Sequence, residues 1–183
     1  MQNYKNIIWL LLVMLGTITE INATSSVGPY IGLDAGYAGV QNYSSGQFGL
    51  NFNAGYAFNK YIAAEGDYLY ITPQSQCSGY LCASANDSFL LAAIRGTIAI
   101  NNKIDLFGKA GFGFNFASTS SSYPGWFSTS TSYTNPAMMI GGGISFDLNS
   151  NVSIKAEDLI LFTSSSNSFG NVNVLGAGIE YKF

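Results

Sequence analysis

Residues 48–58 read FGLNFNAGYAF, and large apolar side chains alternate there with small or polar ones. Because successive side chains of a β-strand point to opposite faces, this period of two predicts a strand with one apolar and one polar face. The stretch is eleven residues long, which matches a tilted strand that crosses a bilayer. It therefore predicts a membrane-spanning β-strand.

Seven further segments repeat this alternation, some less regularly than others. They cover residues 29–40, 61–71, 88–100, 103–117, 137–148, 152–162 and 174–183. Asp158 interrupts the apolar face of the seventh strand. With residues 48–58 as the second strand, the chain predicts eight strands, an even number that returns both ends of a barrel to one rim.

Short and long connections between these segments alternate along the chain. The short ones are residues 59–60, 101–102 and 149–151, which have the Asn-rich composition of tight turns. The others are longer and polar, and the longest is a predicted loop at residues 118–136. Short periplasmic turns and long outer loops are typical of outer-membrane barrels. We therefore predict an all-β fold, an eight-stranded antiparallel up-and-down transmembrane β-barrel over residues 24–183.

The composition excludes several functional classes. Charged residues make up only 9% of the chain, against roughly 25% in an average soluble domain. The net charge of −3 excludes a basic protein that binds nucleic acid, and the absence of His excludes catalytic and metal sites built on imidazole. The 15% of aromatic residues argues against a disordered chain. No cofactor is expected.

Residues 1–23 have the three-part pattern of a secretory signal peptide. Lys5 precedes an apolar stretch at residues 7–15, and the small residue Ala23 follows. The apolar stretch is shorter than the ~20 residues that a membrane-spanning helix needs. We therefore expect cleavage near Ala23 after export across the inner membrane.

Two classes of barrel are compatible with alternating strands, a membrane barrel and a soluble lipocalin-type barrel. A soluble barrel would need dense charge on its polar face, but that face carries mostly Gly, Ala, Ser and Asn, which suit a narrow interior. The opposite face carries Phe, Tyr, Ile and Leu, and its Tyr residues gather near strand ends as in interfacial belts. The pattern favours the membrane barrel, with apolar side chains outward.

Three stretches carry a resemblance to a known family. They are GPYIGLDAGYAG at residues 28–39, FGLNFNAGYAFNKYIAAEGDYLY at residues 48–70 and VLGAGIEYKF at residues 174–183. Over residues 27–183 the chain resembles the small eight-stranded outer-membrane barrels of Gram-negative bacteria, which include the OmpA transmembrane domain, OmpX and opacity-type surface antigens. The resemblance implies location in the outer membrane of a Gram-negative bacterium.

The C-terminal residues are the most specific part of the resemblance. Ile179, Tyr181 and Phe183 are similar to the C-terminal signal that the barrel-insertion machinery reads. The resemblance therefore implies that this machinery is a partner, together with outer-membrane lipid and lipopolysaccharide. We expect a monomer.

Six charged residues share the inward parity and lie at comparable distances from the predicted turns. They are Asp34, Glu65, Asp67, Arg95, Lys109 and Glu157. Because a lone buried charge is costly, we expect Arg95 and Lys109 to form ion pairs with Glu65, Asp67 and Glu157. Such a lumen ion-pair network would be a structural plug or, alternatively, a gate over a narrow water path that prefers cations.

Cys77 and Cys82 lie close together in the second long connection. In an oxidising periplasm such a pair predicts a disulfide, since the alternative, a metal site, would need further ligands.

Trp126 and Phe127 lie in the predicted loop at residues 118–136, which is otherwise rich in Ser and Thr. Aromatic residues among small polar ones are typical of adaptable binding surfaces, so both are candidates for recognition of a cell-surface ligand.

The sequence favours a non-enzymatic envelope protein with a structural role and a surface-exposed role in adhesion or as an antigen. A narrow, weakly cation-preferring channel is the alternative. A lipid-modifying barrel enzyme is less favoured, because the related barrels that modify lipid A use an essential His that this chain lacks. A soluble lipocalin-type binder is the last possibility.

Overall fold

The computed structural model describes residues 27–40, 46–78, 81–123, 127–163 and 171–183. The predicted signal peptide at residues 1–23 lies outside these residues and stays a prediction. Within the described part of the chain, no helix has the length and apolar character of a membrane-spanning segment.

Eight antiparallel strands form one closed barrel in which every strand pairs with its sequence neighbours and β1 pairs with β8. The strands are β1 Gly28–Val40, β2 Gln47–Ala57, β3 Ile62–Ser78, β4 Leu81–Ala99, β5 Ile104–Tyr123, β6 Phe127–Asp147, β7 Val152–Thr163 and β8 Val172–Lys182. The predicted eight-stranded barrel is therefore confirmed. We call the end that carries the short turns at residues 58–61, 100–103 and 148–151 the turn rim.

The register of the strands determines how strongly they tilt. Paired residues can be followed around the barrel from Ala35 of β1 in two directions. Through β2, β3, β4 and β5 they lead to Thr134 of β6, and through β8 and β7 they lead to Ile144 of the same strand. Closing the barrel therefore shifts the register by the ten residues between Thr134 and Ile144. For eight strands this shift corresponds to a tilt of about 40°.

Asn side chains hold the turns of the turn rim. The Asn59, Asn101 and Asn149 carboxamide oxygens each accept hydrogen bonds from two backbone N–H groups two and three residues ahead, at 2.8–3.0 Å. These Asx-type contacts explain why Asn recurs at the start of every short connection.

The prediction of a long loop at residues 118–136 was wrong. Strands β5 and β6 pair up to Tyr123 and Phe127, and the Cys77–Cys82 region also lies on paired strands rather than in a loop. The residues 72–78, 81–86, 118–123 and 127–136 form a four-stranded extension, which we call the outer sheet. Both of its faces lie beyond the apolar band, so its sequence does not alternate between polar and apolar residues, although the backbone ladder continues.

Apolar side chains cover the outside of the barrel, as the membrane-barrel interpretation requires. Phe112 is 71% exposed and Ile94 is 67% exposed, although both lie in the middle of long strands. Exposed aromatic residues gather towards both ends of this apolar band, which is the arrangement of interfacial belts. Those near the turn rim include Tyr56, Phe58, Tyr61, Tyr181 and Phe183, and those at the far end include Tyr37, Phe48, Phe114 and Phe116.

The interior of the barrel is divided into two layers. On β3, the inward residues Glu65 and Asp67 are followed, away from the turn rim, by Leu69 and Ile71. The other strands add to the second layer, which we call the apolar plug. It consists of Ala38, Leu69, Ile71, Phe89, Leu91, Ala93, Ala137, Met139, Leu159, Leu161, Val172 and Val174. Charged side chains therefore fill the half near the turn rim. The half towards the outer sheet holds the apolar plug, and beside it the buried Asn115 donates a hydrogen bond to Asp87.

Candidate functional site in the lumen and outer sheet

Lys109 is the centre of the charged layer. Its Nζ atom lies 2.8 Å from Glu65 Oε1, 2.8 Å from Asp67 Oδ1 and 3.2 Å from Glu157 Oε2. The side chain projects inward from β5, is 3% exposed, and reaches carboxylates on β3 and β7. The ammonium group donates hydrogen bonds to Glu65 and Asp67, and its contact with Glu157 is an ion pair.

Arg95 forms ion pairs nearer to the turn rim. Its guanidinium lies 3.7 Å from Glu65 Oε2 and donates a hydrogen bond to Glu180 on β8. It also lies over the Phe107 ring, 4.2 Å from the ring centroid, which is a cation–π geometry. The Tyr30 hydroxyl donates to Glu65 at 2.8 Å. Glu65 therefore links the environments of Arg95 and Lys109.

Lys155 forms an ion pair with Asp34, the remaining residue of the six predicted ones. Its Nζ lies 3.0 Å from Asp34 Oδ2 and 3.8 Å from Glu157 Oε2. Sequence reasoning did not select Lys155 or Glu180, although both have the inward parity of their strands. We use the name lumen network for the eight charged residues Asp34, Glu65, Asp67, Arg95, Lys109, Lys155, Glu157 and Glu180.

Two Asn side chains complete these contacts. Asn51 donates to Asp67 at 3.0 Å and to Glu157 at 3.3 Å, and Asn53 donates to Asp34 at 2.7 Å. The lumen network contains five acidic and three basic side chains, so the amides supply donors that the cations do not. The structure brings all six predicted residues together, and the ion pairs of Arg95 within the described residues are with Glu65 and Glu180.

The apolar plug closes the lumen beyond this network. Phe89, Leu69, Ile71, Leu159 and Leu161 are all at most 1% exposed. Two cavities within the barrel measure only about 30 Å³, near Arg95 at the turn rim, and about 10 Å³, beside Asp34. Such cavities have room for single water molecules. A hydrophobic constriction of this kind opposes the passage of ions by excluding water.

Ser and Thr residues pair across the strands of the outer sheet. Ser118 faces Ser132, Thr119 faces Thr131 and Ser120 faces Ser130. The Ser132 hydroxyl donates to Ser118 at 3.4 Å, and the hydroxyls of Ser84 and Ser120 lie 2.8 Å apart. These pairs present rows of hydroxyl groups on the exposed part of β6.

The outer segments of the sequence carry no charge. Residues 41–46, 72–86, 118–136 and 164–171 contain no Asp, Glu, Lys or Arg. Basic residues of the barrel are either in the lumen network or at the turn rim, where Lys60, Lys103 and Lys182 lie. The outer end of this barrel therefore has no cation with which to bind a polyanion.

The predicted recognition and disulfide residues are only partly described. Trp126 lies outside the described residues, and Phe127 begins β6 opposite Tyr123. Cys77 and Cys82 are direct cross-strand partners in the backbone register of β3 and β4. The disulfide itself and the role of the two aromatic residues stay predictions.

The C-terminal residues Ile179, Tyr181 and Phe183 project outward from the end of β8, where each is at least 43% exposed. The Tyr181 and Phe183 rings pack edge to face with centroids 5.0 Å apart. Their role as an insertion signal stays a prediction.

No group of three or more His, Cys, Asp or Glu residues in the described ranges has a metal-binding arrangement.

A sequence model for the outer membrane protein β-barrel domain matches residues 8–183, which is nearly the whole chain. The chain belongs to this family. It is an outer-membrane protein of the Gram-negative envelope, and its apolar band contacts lipid. No curated protein matches the sequence.

Solved structures of small outer-membrane proteins share the fold of this barrel. Neisserial surface protein A has a TM-score of 0.70 and 19% identity, over 85% of this chain and 97% of that protein. The attachment invasion locus protein Ail of Yersinia pestis, in complex with the heparin analogue sucrose octasulfate, has a TM-score of 0.59 and 19% identity over the same shares. OprG of Pseudomonas aeruginosa has a TM-score of 0.54 and 14% identity, over 90% of this chain and 99% of that protein. At these identities the likeness concerns the fold.

Proposed function

We propose that this outer-membrane barrel is a non-enzymatic surface protein that anchors the outer sheet, and that the outer sheet binds a ligand on another cell. The contrast between the filled lumen and the projecting outer sheet supports this proposal. Ion pairs and an apolar core fill the lumen, whereas the outer sheet extends two long hairpins beyond the apolar band. A filled barrel with projecting strands suits presentation of a surface better than transport.

The chemistry of the outer sheet indicates an uncharged ligand. Its hydroxyl rows can donate and accept hydrogen bonds, and Tyr133 adds an exposed aromatic ring. Aromatic and small polar residues together are typical of adaptable recognition surfaces. A neutral sugar or an uncharged peptide segment fits this chemistry. A sulfated saccharide, such as the heparin analogue in the Ail complex, does not fit it, because the outer segments have no basic residue.

The alternative function, a narrow cation-preferring channel, has one observation in its favour. The lumen network has more acidic than basic side chains, which would favour cations. The apolar plug opposes this function because it places closely packed apolar side chains between the lumen network and the outer sheet. Contact with lipopolysaccharide and insertion by the barrel-insertion machinery remain part of this proposal.

Adherence of intact bacteria to cultured epithelial cells tests the proposed function. In the test variant an Asn-Gly turn replaces residues 119–131, so that the facing residues Ser118 and Ser132 flank a two-residue hairpin and the register is kept. Heat-modifiable gel mobility and surface labelling verify that variant and wild type are folded and equally abundant. We expect the variant to lose adherence and heparin not to compete with the wild type. Unchanged adherence, or competition by heparin, would contradict the proposal.

A further inference from the structure

Asp158 is a carboxylate on the lipid-facing side of the barrel. It is the third of five exposed residues of β7, and the other four are Ile154, Ala156, Ile160 and Phe162. Asp158 lies six residues beyond Val152, the first residue of β7. At ~3.3 Å per residue and a tilt of about 40°, it is about 15 Å above the turn rim. It therefore lies near the middle of an apolar band ~25 Å tall.

Asn173 is the partner of Asp158 on the same face. The Asn173 carboxamide donates a hydrogen bond to Asp158 Oδ1 at 2.8 Å, and both side chains are exposed. On the other side, Asp158 faces Gly142 of β6, which has no side chain to cover it. Ionisable residues are rare at this depth, and an intramembrane carboxylate is by default a functional site.

A depression lies beside this polar pair. It has a volume of about 470 Å³, and Ala156 of β7 and Ala177 of β8 are among its lining residues together with the larger Ile144, Phe146 and Ile154. Ala156 and Ala177 face each other in the register. The same face of the barrel therefore combines a hydrogen-bonding group with an apolar recess.

We propose that the β6–β8 face, centred on Asp158 and Asn173, is the contact surface for a second copy of this chain. Both copies insert in one orientation, so a two-fold axis between them runs along the membrane normal. The hydrogen-bonded ends of the two side chains share one depth, between the depths of their backbones on β7 and β8, and the axis brings the pair of one copy against the pair of the other. Each amide has a second N–H and each carboxylate a second oxygen, so the two pairs exchange two further hydrogen bonds.

This arrangement explains why the polar pair is kept on the lipid face. In a monomer, the second oxygen of Asp158 and the second N–H of Asn173 would face acyl chains, which offer no hydrogen bond. In the dimer these groups satisfy one another, and the absence of a side chain at Gly142 lets the two barrels approach. The dimer replaces the monomeric state that the sequence suggested, and it does not depend on the proposed function of the outer sheet.

Chemical cross-linking in outer membranes tests the proposal. The test variant is Ala156→Cys, beside Asp158, and the control is Ala64→Cys, which is also lipid-facing but lies on β3 at the far side of the barrel. Both carry Cys77→Ser and Cys82→Ser, so that only the new thiol reacts. A short bis-maleimide is expected to give a species of twice the mass from Ala156→Cys and a monomer from Ala64→Cys.

Two substitutions at Asp158 separate hydrogen bonding from simple proximity. Asp158→Leu should lower the cross-linked fraction of Ala156→Cys by roughly tenfold, because it removes both new hydrogen bonds. Asp158→Asn keeps an acceptor oxygen and should retain most of the cross-linking. Asp158→Leu makes the lipid face more apolar, so the barrel should still fold, which heat-modifiable mobility verifies. Equal cross-linking at the two Cys positions, no cross-linking at either, or unchanged cross-linking in Asp158→Leu would overturn the proposal.

Discussion

Lys109 contacts Glu65 at 2.8 Å across the lumen, and this ion pair joins β5 to β3, two strands that are not neighbours in the barrel. Backbone ladders connect each strand only to the two beside it. The pairs from Lys109 to Glu157 and from Lys155 to Asp34 continue the chain of contacts to β7 and β1. The lumen network therefore ties alternate strands together from the inside, in addition to the ladders.

Lys109→Met should strongly destabilise the barrel. The substitution keeps the length of the side chain but leaves three carboxylates, those of Glu65, Asp67 and Glu157, without their shared cation. Breaking a buried ion pair on one side costs about 3–5 kcal/mol. Urea unfolding in lipid vesicles measures this free energy. Lys103→Met, at an exposed position in a turn, is the matched control and should change it by less than about 0.5 kcal/mol.

Lys155 and Asp34 should show energetic coupling in a double-mutant cycle. Lys155→Met and Asp34→Asn each remove one partner of the 3.0 Å contact, and the double substitution removes both. We expect a coupling energy of about 0.5–3 kcal/mol in the free energy of unfolding. Additive effects of the two substitutions would show that the contact does not contribute to the free energy of unfolding. Lys182 and Asp147, also 3.0 Å apart but at the turn rim, should show weaker coupling because water reaches them.

Planar-bilayer recordings should find no open pore in the wild-type protein. Arg95→Ala should also give near-zero conductance, because the apolar plug still blocks the path beyond Arg95. Combining Arg95→Ala with Phe89→Ser and Leu161→Ser should produce measurable currents by making the plug smaller and polar. Steady cation currents through the wild-type protein would instead support the channel alternative.

Cys77 and Cys82 should be oxidised to a disulfide in the exported protein. Residues directly opposite in an antiparallel pair have Cα atoms ~4.5–5.5 Å apart, within the range of disulfides. Maleimide labelling under denaturing conditions should find no free thiol before reduction and both thiols after it. Labelling of both thiols without reductant would contradict the prediction.

The alternation of faces predicted the membrane-spanning strands because lipid and lumen impose different demands on the two faces. The same reasoning selected Glu65, Asp67 and Lys109, since charge in the apolar band must point inward. It does not select Glu180, because the distance of a residue from its own turn does not by itself give its partners across the lumen. In a tilted barrel, side chains at different distances from their turns meet across the lumen, as Arg95 and Glu180 do.

Two other features were hidden from the sequence for physical reasons. Leu69 and Phe89 face inward, but they lie on strands whose outward face is also apolar, so their alternation is weak and the apolar plug was not predicted. The outer strands at residues 118–136 have water on both sides, so their Ser and Thr residues resemble a loop in composition. The pairings from β3 to β6 reveal the outer sheet.

The most direct test of this account compares the adherence of bacteria that display three forms of the protein at equal surface density. They are the wild type, the variant with the hairpin shortened at residues 119–131, and Lys109→Met, which alters the lumen alone. We predict that the shortened hairpin abolishes adherence and that Lys109→Met, where folded, adheres like the wild type. Adherence that survives the shortened hairpin but is lost in folded Lys109→Met would contradict the assignment of function to the outer sheet.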